Sequence, residues 1–162
     1  MTNQNTVEQI KQLELDTLSA QRWANEGNIE QWVHKFLLSG TGGPTNSAFS
    51  DGLKLEKRWW NGPIEFRLDQ LSPAVGTDPN MEYVVSKDDW HLWTSNLAET
   101  FTTLPALPPL ILEYRDGELS IRDGNTRHGA MKRLGWPTCW AIIWYNSEAD
   151  YLKHSKLLGL AV

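Results

Sequence analysis

Six consecutive residues, Asp123-Gly124-Asn125-Thr126-Arg127-His128, bring together side-chain types that phosphate chemistry uses. They stand where a strand-like stretch, "ELSIR", gives way to a helix-like one, "HGAMKRLG". The first turn of a helix leaves backbone N–H groups without intrahelical partners, and the helix dipole adds partial positive charge there. Such an opening is a ready anion site. Gly124 permits close approach to the backbone. Asn125 or Thr126 could cap the helix or donate to a ligand oxygen. Arg127 presents a planar fork that grips two phosphate oxygens at once. His128 adds a donor, or an acid or base near neutral pH. Asp123 is the first candidate for a catalytic base, or for holding magnesium through water; Asp51, in the stretch "FSDG", is the second. The same residues also make ordinary turn-and-cap chemistry, with Arg127 as a solvated helix residue and His128 as a partly exposed one. Spacing alone leaves both readings open.

Elements on either side must hold that turn. Residues 7–25 read as a helix, with Thr6 and Gln9 at capping-box spacing and Val7, Ile10, Leu13 and Leu18 as its apolar stripe. Gly27 ends it. Asn28 and Gln31 repeat the cap before a helix from Ile29 to Leu38, whose apolar face is Trp32, Val33, Phe36 and Leu37. Residues 40–52, "GTGGPTNSAFSDG", read as a surface loop, or alternatively as a loop that closes over a ligand. "PIEFRLDQL", residues 63–71, alternates as a strand, with Ile64, Phe66 and Leu68 on one face and Glu65 and Arg67 on the other. Ser86 and Asp89 cap a helix carrying Trp90, Trp93, Leu97 and Phe101 on one side, which "LPALPP" must break. "LILEY" and "ELSIR" flank an Asp-Gly hairpin turn. After the 125–134 helix, "TCWAIIWY" reads as a central strand buried on both faces, and Ser147 with Asp150 opens a last helix. Gly129 is a poor residue inside a helix, which implies close packing there or a weakened site.

The order predicts an α/β fold: a compact mixed sheet with flanking helices. It divides into a helical N-terminal extension and loop over residues 1–62, packed on a core of residues 63–162. A chain of 162 residues with 40% hydrophobic residues and a mean hydropathy of -0.46 is that of a globular domain, and no apolar run is long enough to span a membrane. The N-terminus has neither a basic start nor an apolar stretch of signal-peptide type, so the expected location is the cytoplasm. The lone cysteine, Cys139, excludes an internal disulfide and a cysteine-rich zinc site, and is expected as a buried, unreactive thiol. A net charge of -5 opposes nucleic-acid binding. Nine tryptophans predict an aromatic-rich core; the sharper alternative has Trp59-Trp60 or Trp140 stacking on a nucleobase.

The stretch Pro108-Pro109-Leu110, then Gly124-Asn125-Thr126-Arg127, then Ala130 through Leu134-Gly135 and a final apolar strand, resembles the core of the ParB N-terminal/sulfiredoxin superfamily. Ile64–Leu68 is similar to that family's upstream strand, and "TSNLAETF" to sulfiredoxin's nucleotide-contacting helix, with Asn96 and Thr100 at its polar positions. The resemblance covers about residues 63 to 146. It implies a nucleotide site: ATP in sulfiredoxin, CTP in ParB, ATP or ADP in free-serine kinases of this fold. Carried over, Gly124 and the N–H groups of Asn125 and Thr126 cradle phosphate and Arg127 neutralises it, with Asn96 and Thr100 nearby. Three departures matter. Asn125 stands where sulfiredoxin has its reactive cysteine and ParB a glutamate, Thr126 replaces the usual histidine, and ParB's helix-turn-helix finds no counterpart after residue 146.

The resulting expectation is a nucleotide-binding protein, ATP foremost and carried with Mg2+. As an enzyme it would be a kinase-like or NTP-hydrolysing one, acting on a small-molecule or protein acceptor that the sequence does not name. The alternatives are a non-catalytic nucleotide-responsive module and, last, a ParB-type DNA-associated protein. Arg127→Ala is expected to abolish nucleotide binding while leaving the fold intact.

Overall fold

The computed structural model describes residues 15–40, 45–101 and 104–161. Three helices lead: α1 (Thr17–Asn25), α2 (Ile29–Ser39) and α3 (Ser47–Lys54). Strand β1 (Trp59–Arg67) follows, then the short strands β2 (Ser72–Pro73), β3 (Val75–Gly76) and β4 (Tyr83–Val84), and helix α4 (Lys87–Thr100). The C-terminal part runs β5 (Leu110–Arg115), β6 (Glu118–Asp123), α5 (Asn125–Arg133), β7 (Thr138–Tyr145) and α6 (Glu148–Leu157). Five strands form one sheet in the order β1-β7-β5-β6-β2. Pairing is antiparallel for β1/β7 and β5/β6 and parallel for β7/β5 and β6/β2, so the sheet is mixed and the α/β class expected from the sequence is what forms.

The strand pattern sorts the core into two layers. Leu110, Leu112 and Tyr114 of β5, with Ala141, Ile143 and Tyr145 of β7, pack with Met131 of α5 on one side of the sheet. Their neighbours Ile111, Ile142 and Trp144 point the other way, against Trp32, Val33, Phe36, Leu37 and Leu53. This is the period-2 alternation of a strand buried on both faces. The α2 face read from sequence is the buried one, and its Trp32 stacks on Phe36 with ring centroids 5.3 Å apart. The hairpin turn is Asp116-Gly117, at φ 52° and 84°, the two positive values of a type I′ turn. Ser86 and Ser147 accept the caps expected of them, from the N–H groups of Asp89 and Asp150, each at 3.1 Å.

Four sequence readings are corrected. Within the described residues the first helix begins at Thr17, where Asp16 accepts from the Ser19 N–H at 2.8 Å. Thr6, Val7, Gln9, Ile10 and Leu13 lie outside the described residues, and Leu18 is half exposed; Thr17, Ser19 and Ala20 are the buried face. Residues 47–54, read as loop, form α3, capped by Asn46. Strand β1 covers 59–67 rather than 63–71, so the boundary drawn at residue 62 falls inside it. On α4 Thr94 is the fully buried residue; of the expected apolar stripe Trp93 is 45% exposed, Trp90 and Leu97 are half-buried, and Phe101 lies one residue past the helix, packed on the core.

Candidate functional site

Residue 124 is the hinge of the site. Strand β6 ends at Asp123 and α5 begins at Asn125, and Gly124 joins them at φ 102°, a conformation L side chains rarely adopt. A Cβ there would stand 2.4 Å from Cδ2 of Leu110 and 2.7 Å from Nη2 of Arg127. Glycine is therefore required twice over. No side chain caps α5 and its first turn carries no acidic residue, so the N–H groups of Asn125, Thr126 and Arg127 have no intrahelical partner. They border a cleft of about 210 Å³, walled also by Val75, Leu97 and Asp123.

Arg127 does not reach into solvent. It is 5% exposed, and its guanidinium folds back under Gly124. Nη2 donates to Oδ2 of Asp123 at 3.0 Å and lies 3.5 Å from the Pro109 carbonyl, while the guanidinium carbon sits 5.4 Å from the Phe36 ring centre. Burial pulls the guanidinium below its ordinary value and the Asp123 carboxylate opposes that pull. Its Nε has no partner among the described residues; the other two such buried atoms are indole nitrogens, of Trp60 and Trp144. An unpaired N–H on a buried cation is costly unless something satisfies it. The alternative of Arg127 as a solvated helix residue is corrected: it is a packed, ion-paired core residue, so Arg127→Ala is expected to cost stability as well as binding.

The remaining candidates turn elsewhere. Asn125 keeps its N–H at the helix opening but its side chain is spent. Oδ1 accepts from the Ala74 and Val75 N–H groups at 2.9 and 3.2 Å, and Nδ2 donates to the Ile121 carbonyl at 3.1 Å. Rather than capping α5, it latches the β2–β3 connection to β6. His128 is 2% exposed and donates Nε2–H to the Leu68 carbonyl at 3.0 Å, away from the cleft, so the half-exposed placement is corrected. Asp51 is exposed on α3, close enough to His34 to act on its charge, and does not line the cleft. Asn96 and Thr100 are exposed on α4, and Thr100 donates to the Leu97 carbonyl; it is Leu97 between them that walls the cleft. Among the described residues no group of three or more His, Cys, Asp or Glu converges to hold a metal. Magnesium therefore has one carboxylate facing the cleft, Asp123, already held by Arg127. The residues alone do not build its site.

Gly129 answers the question it raised. A Cβ there would stand 2.6 Å from Cζ2 of Trp90 and 2.8 Å from Cγ2 of Thr94, so its absence lets α4 and α5 pack closely. Cys139 is buried, and burial pushes its thiol up to about 12. Trp59 and Trp60 lie on the edge strand β1, separated from β6 by β7 and β5, which places them away from the Gly124 mouth. Arg122 was missed. It precedes the motif on β6 and bridges Glu82 at 2.6 Å and Glu113 at 3.2 Å; the alternation that buries Ile121 was the signal that Arg122 faces the other way.

Among the solved structures similar to the chain are a sulfiredoxin and a ParB. Sulfiredoxin from Arabidopsis thaliana matches at 20% identity with a TM-score of 0.39, over 56% of this chain and 92% of that one. The C-terminally truncated chromosome-partitioning protein ParB from Caulobacter crescentus, complexed with CTP-gamma-S, matches at 18% identity and the same TM-score of 0.39, over 63% of this chain and 56% of that one. The chain resembles both, and spans about half the length of that ParB chain. No protein-family model matches it, and no curated protein does.

Proposed function

We propose that the cleft at the start of α5 holds the phosphate groups of a nucleotide, ATP foremost, and that the chain is a nucleotide-binding module. The observation that carries this reading is an uncapped helix N-terminus backed by a nine-tenths buried guanidinium whose Nε has no partner among the described residues. The Arg127–Asp123 pair is close to neutral as a unit. Attraction for phosphate then comes from the three N–H groups and the α5 dipole.

Binding stands ahead of phosphotransfer for a specific reason. A phosphotransferase needs a base or water-positioning group at the phosphates. Asp123 is tied to Arg127, His128 is turned to Leu68 and Asp51 lies off the cleft. Magnesium brought with the nucleotide would meet Asp123 as the carboxylate on the cleft wall.

Thermal melting with ATP, ADP, CTP and GTP, with and without Mg2+, followed by a phosphate-release assay, tests the reading. Stabilisation without turnover is expected, since a ligand that binds only the folded state stabilises it by about 2.7 kcal/mol at a hundred times its Kd. Thr126 lines the cleft and is half-buried, so Thr126→Glu places a negative charge at the mouth while favouring the helix dipole. That variant should melt no lower than wild type and lose every nucleotide shift. No shift with any nucleotide, or a full shift in Thr126→Glu, overturns the assignment.

A further inference from the structure

We infer that a second cleft, on the far side of the Val75–Asn125 wall, is the nucleoside subsite of the phosphate site; this rests on the phosphate reading above. The second cleft is about 240 Å³ and shares Val75 and Asn125 with the first. Each cleft alone is smaller than the roughly 300 Å³ at which ordinary small-molecule pockets begin. Taken together they match a ligand with two chemically distinct ends. Besides Ala74 and Ile121, the new walls are Phe49 of α3, Tyr83 of β4, Arg122 of β6 and Asn46, the α3 cap.

Those walls suit a planar, uncharged, hydrogen-bonding ring. Phe49 and Tyr83 bring aromatic rings to the lining, and the planar Arg122 guanidinium is a further group on which a base can stack. Arg122 is already balanced by Glu82 and Glu113, which raise its affinity for its proton, so the cleft is not a second anion site. Asn46 spends its Oδ1 on the Phe49 N–H at 3.3 Å and keeps its amide NH2 as a donor to a ring nitrogen or carbonyl. A small carboxylate or a second phosphate finds no unbalanced cation here; a nucleobase finds stacking and an edge contact. A larger cleft, about 530 Å³, is excluded for this role because Asp78, Glu82 and Glu118 rim it and it shares no lining residue with the Gly124 cleft.

Tyr83 is 66% exposed, so replacing it leaves the core untouched. Binding of ATP, CTP and inorganic tripolyphosphate is measured by calorimetry on wild type, Tyr83→Ala, Tyr83→Phe and Thr126→Glu. The wild type should bind the better of the two nucleotides at least tenfold more tightly than tripolyphosphate. Tyr83→Ala should weaken that nucleotide by about tenfold, in line with the loss of one base–aromatic stack, and leave tripolyphosphate unchanged. Tyr83→Phe should behave as wild type, and Thr126→Glu should lose all three. Equal affinity for nucleotide and tripolyphosphate, or a Tyr83→Ala variant with unchanged nucleotide affinity, overturns the nucleoside subsite while the phosphate site stands. Failure of tripolyphosphate to bind wild type overturns the phosphate site, and this subsite with it.

Discussion

Arg127 and His128 are adjacent on α5, yet one side chain joins Asp123 and Phe36 and the other the Leu68 carbonyl. Their types were legible in the sequence as groups that could meet phosphate. Their directions were not, because direction depends on which elements close over the first turn of α5. Removing Arg127 leaves the Asp123 carboxylate, a quarter exposed, without its cation and uncovers the Phe36 ring. Arg127→Ala should therefore cost about 2 kcal/mol in urea unfolding, and Arg127→Met with Asp123→Asn should recover part of it, since the pair is then removed together. His128 and His154 have the opposite liability. Burial holds both below the ordinary 6.5, so the folded state binds fewer protons than the unfolded one. Their contribution is complete above pH 6.5 and is lost as pH falls from 6.5 towards the lowered folded values. The melting temperature should fall between about pH 7 and pH 5, and His128→Gln should flatten that slope; an unchanged slope would show that His128 does not titrate in this window. Cys139 should resist thiol reagents in the native protein and react only on unfolding.

At the scale of elements, the sequence was most legible where local chemistry alone decides the boundary. The Asp116-Gly117 turn, the Ser86 and Ser147 caps and the β7 run needed no partner to be recognised. Helix α3 was illegible because Pro44 and the glycines around it signal a loop, and its helicity comes from Asn46 at the cap and from burying Ser50 and Leu53. The β1 start was missed for a related reason: Gly62-Pro63 looks like a strand end, whereas Gly62 lets β1 press against β7, where a Cβ would stand 2.7 Å from the Ala141 carbonyl oxygen. Two substitutions test what holds the site's elements. Gly129→Ala gains up to about 1 kcal/mol of helix propensity but drives a methyl into Trp90 and Thr94, an overpacking cost of about 1–3 kcal/mol. A net loss of stability is expected, where an exposed helix position would show a gain. Asn125→Ala removes three hydrogen bonds at once and should speed amide exchange at Ala74 and Val75 ahead of the rest of the sheet. Uniform exchange across β6 and β3 would show that the connection is held by other contacts.

The molecule as a whole depends on which layer covers which face of the sheet. Residues 1–62 were expected as a helical extension packed on a core of residues 63–162, and the packing serves both sides. Ile111, Ile142 and Trp144 are at most 5% exposed because α2 and α3 lie on them, and Trp32, Val33 and Leu53 are buried by the same contact. Strand β1 carries Trp59–Asn61, paired with Tyr145, Trp144 and Ile143 of β7, so the division also cuts a strand. Phe36 covers Arg127 and Phe49 walls the second cleft, which ties the helical layer to both halves of the proposed site. Removal of residues 1–58 would expose one whole face of a sheet, an apolar surface that folded monomers do not leave open. Such a chain should be insoluble or bind hydrophobic dye without a cooperative transition. In the full chain, helical circular dichroism and tryptophan fluorescence should melt together, because Trp32 and Trp144 report on the very contact that joins the layers. Two separated transitions would mean that the helices fold as a unit of their own, and a soluble, cooperatively melting 59–162 fragment would mean that the sheet needs no cover from them.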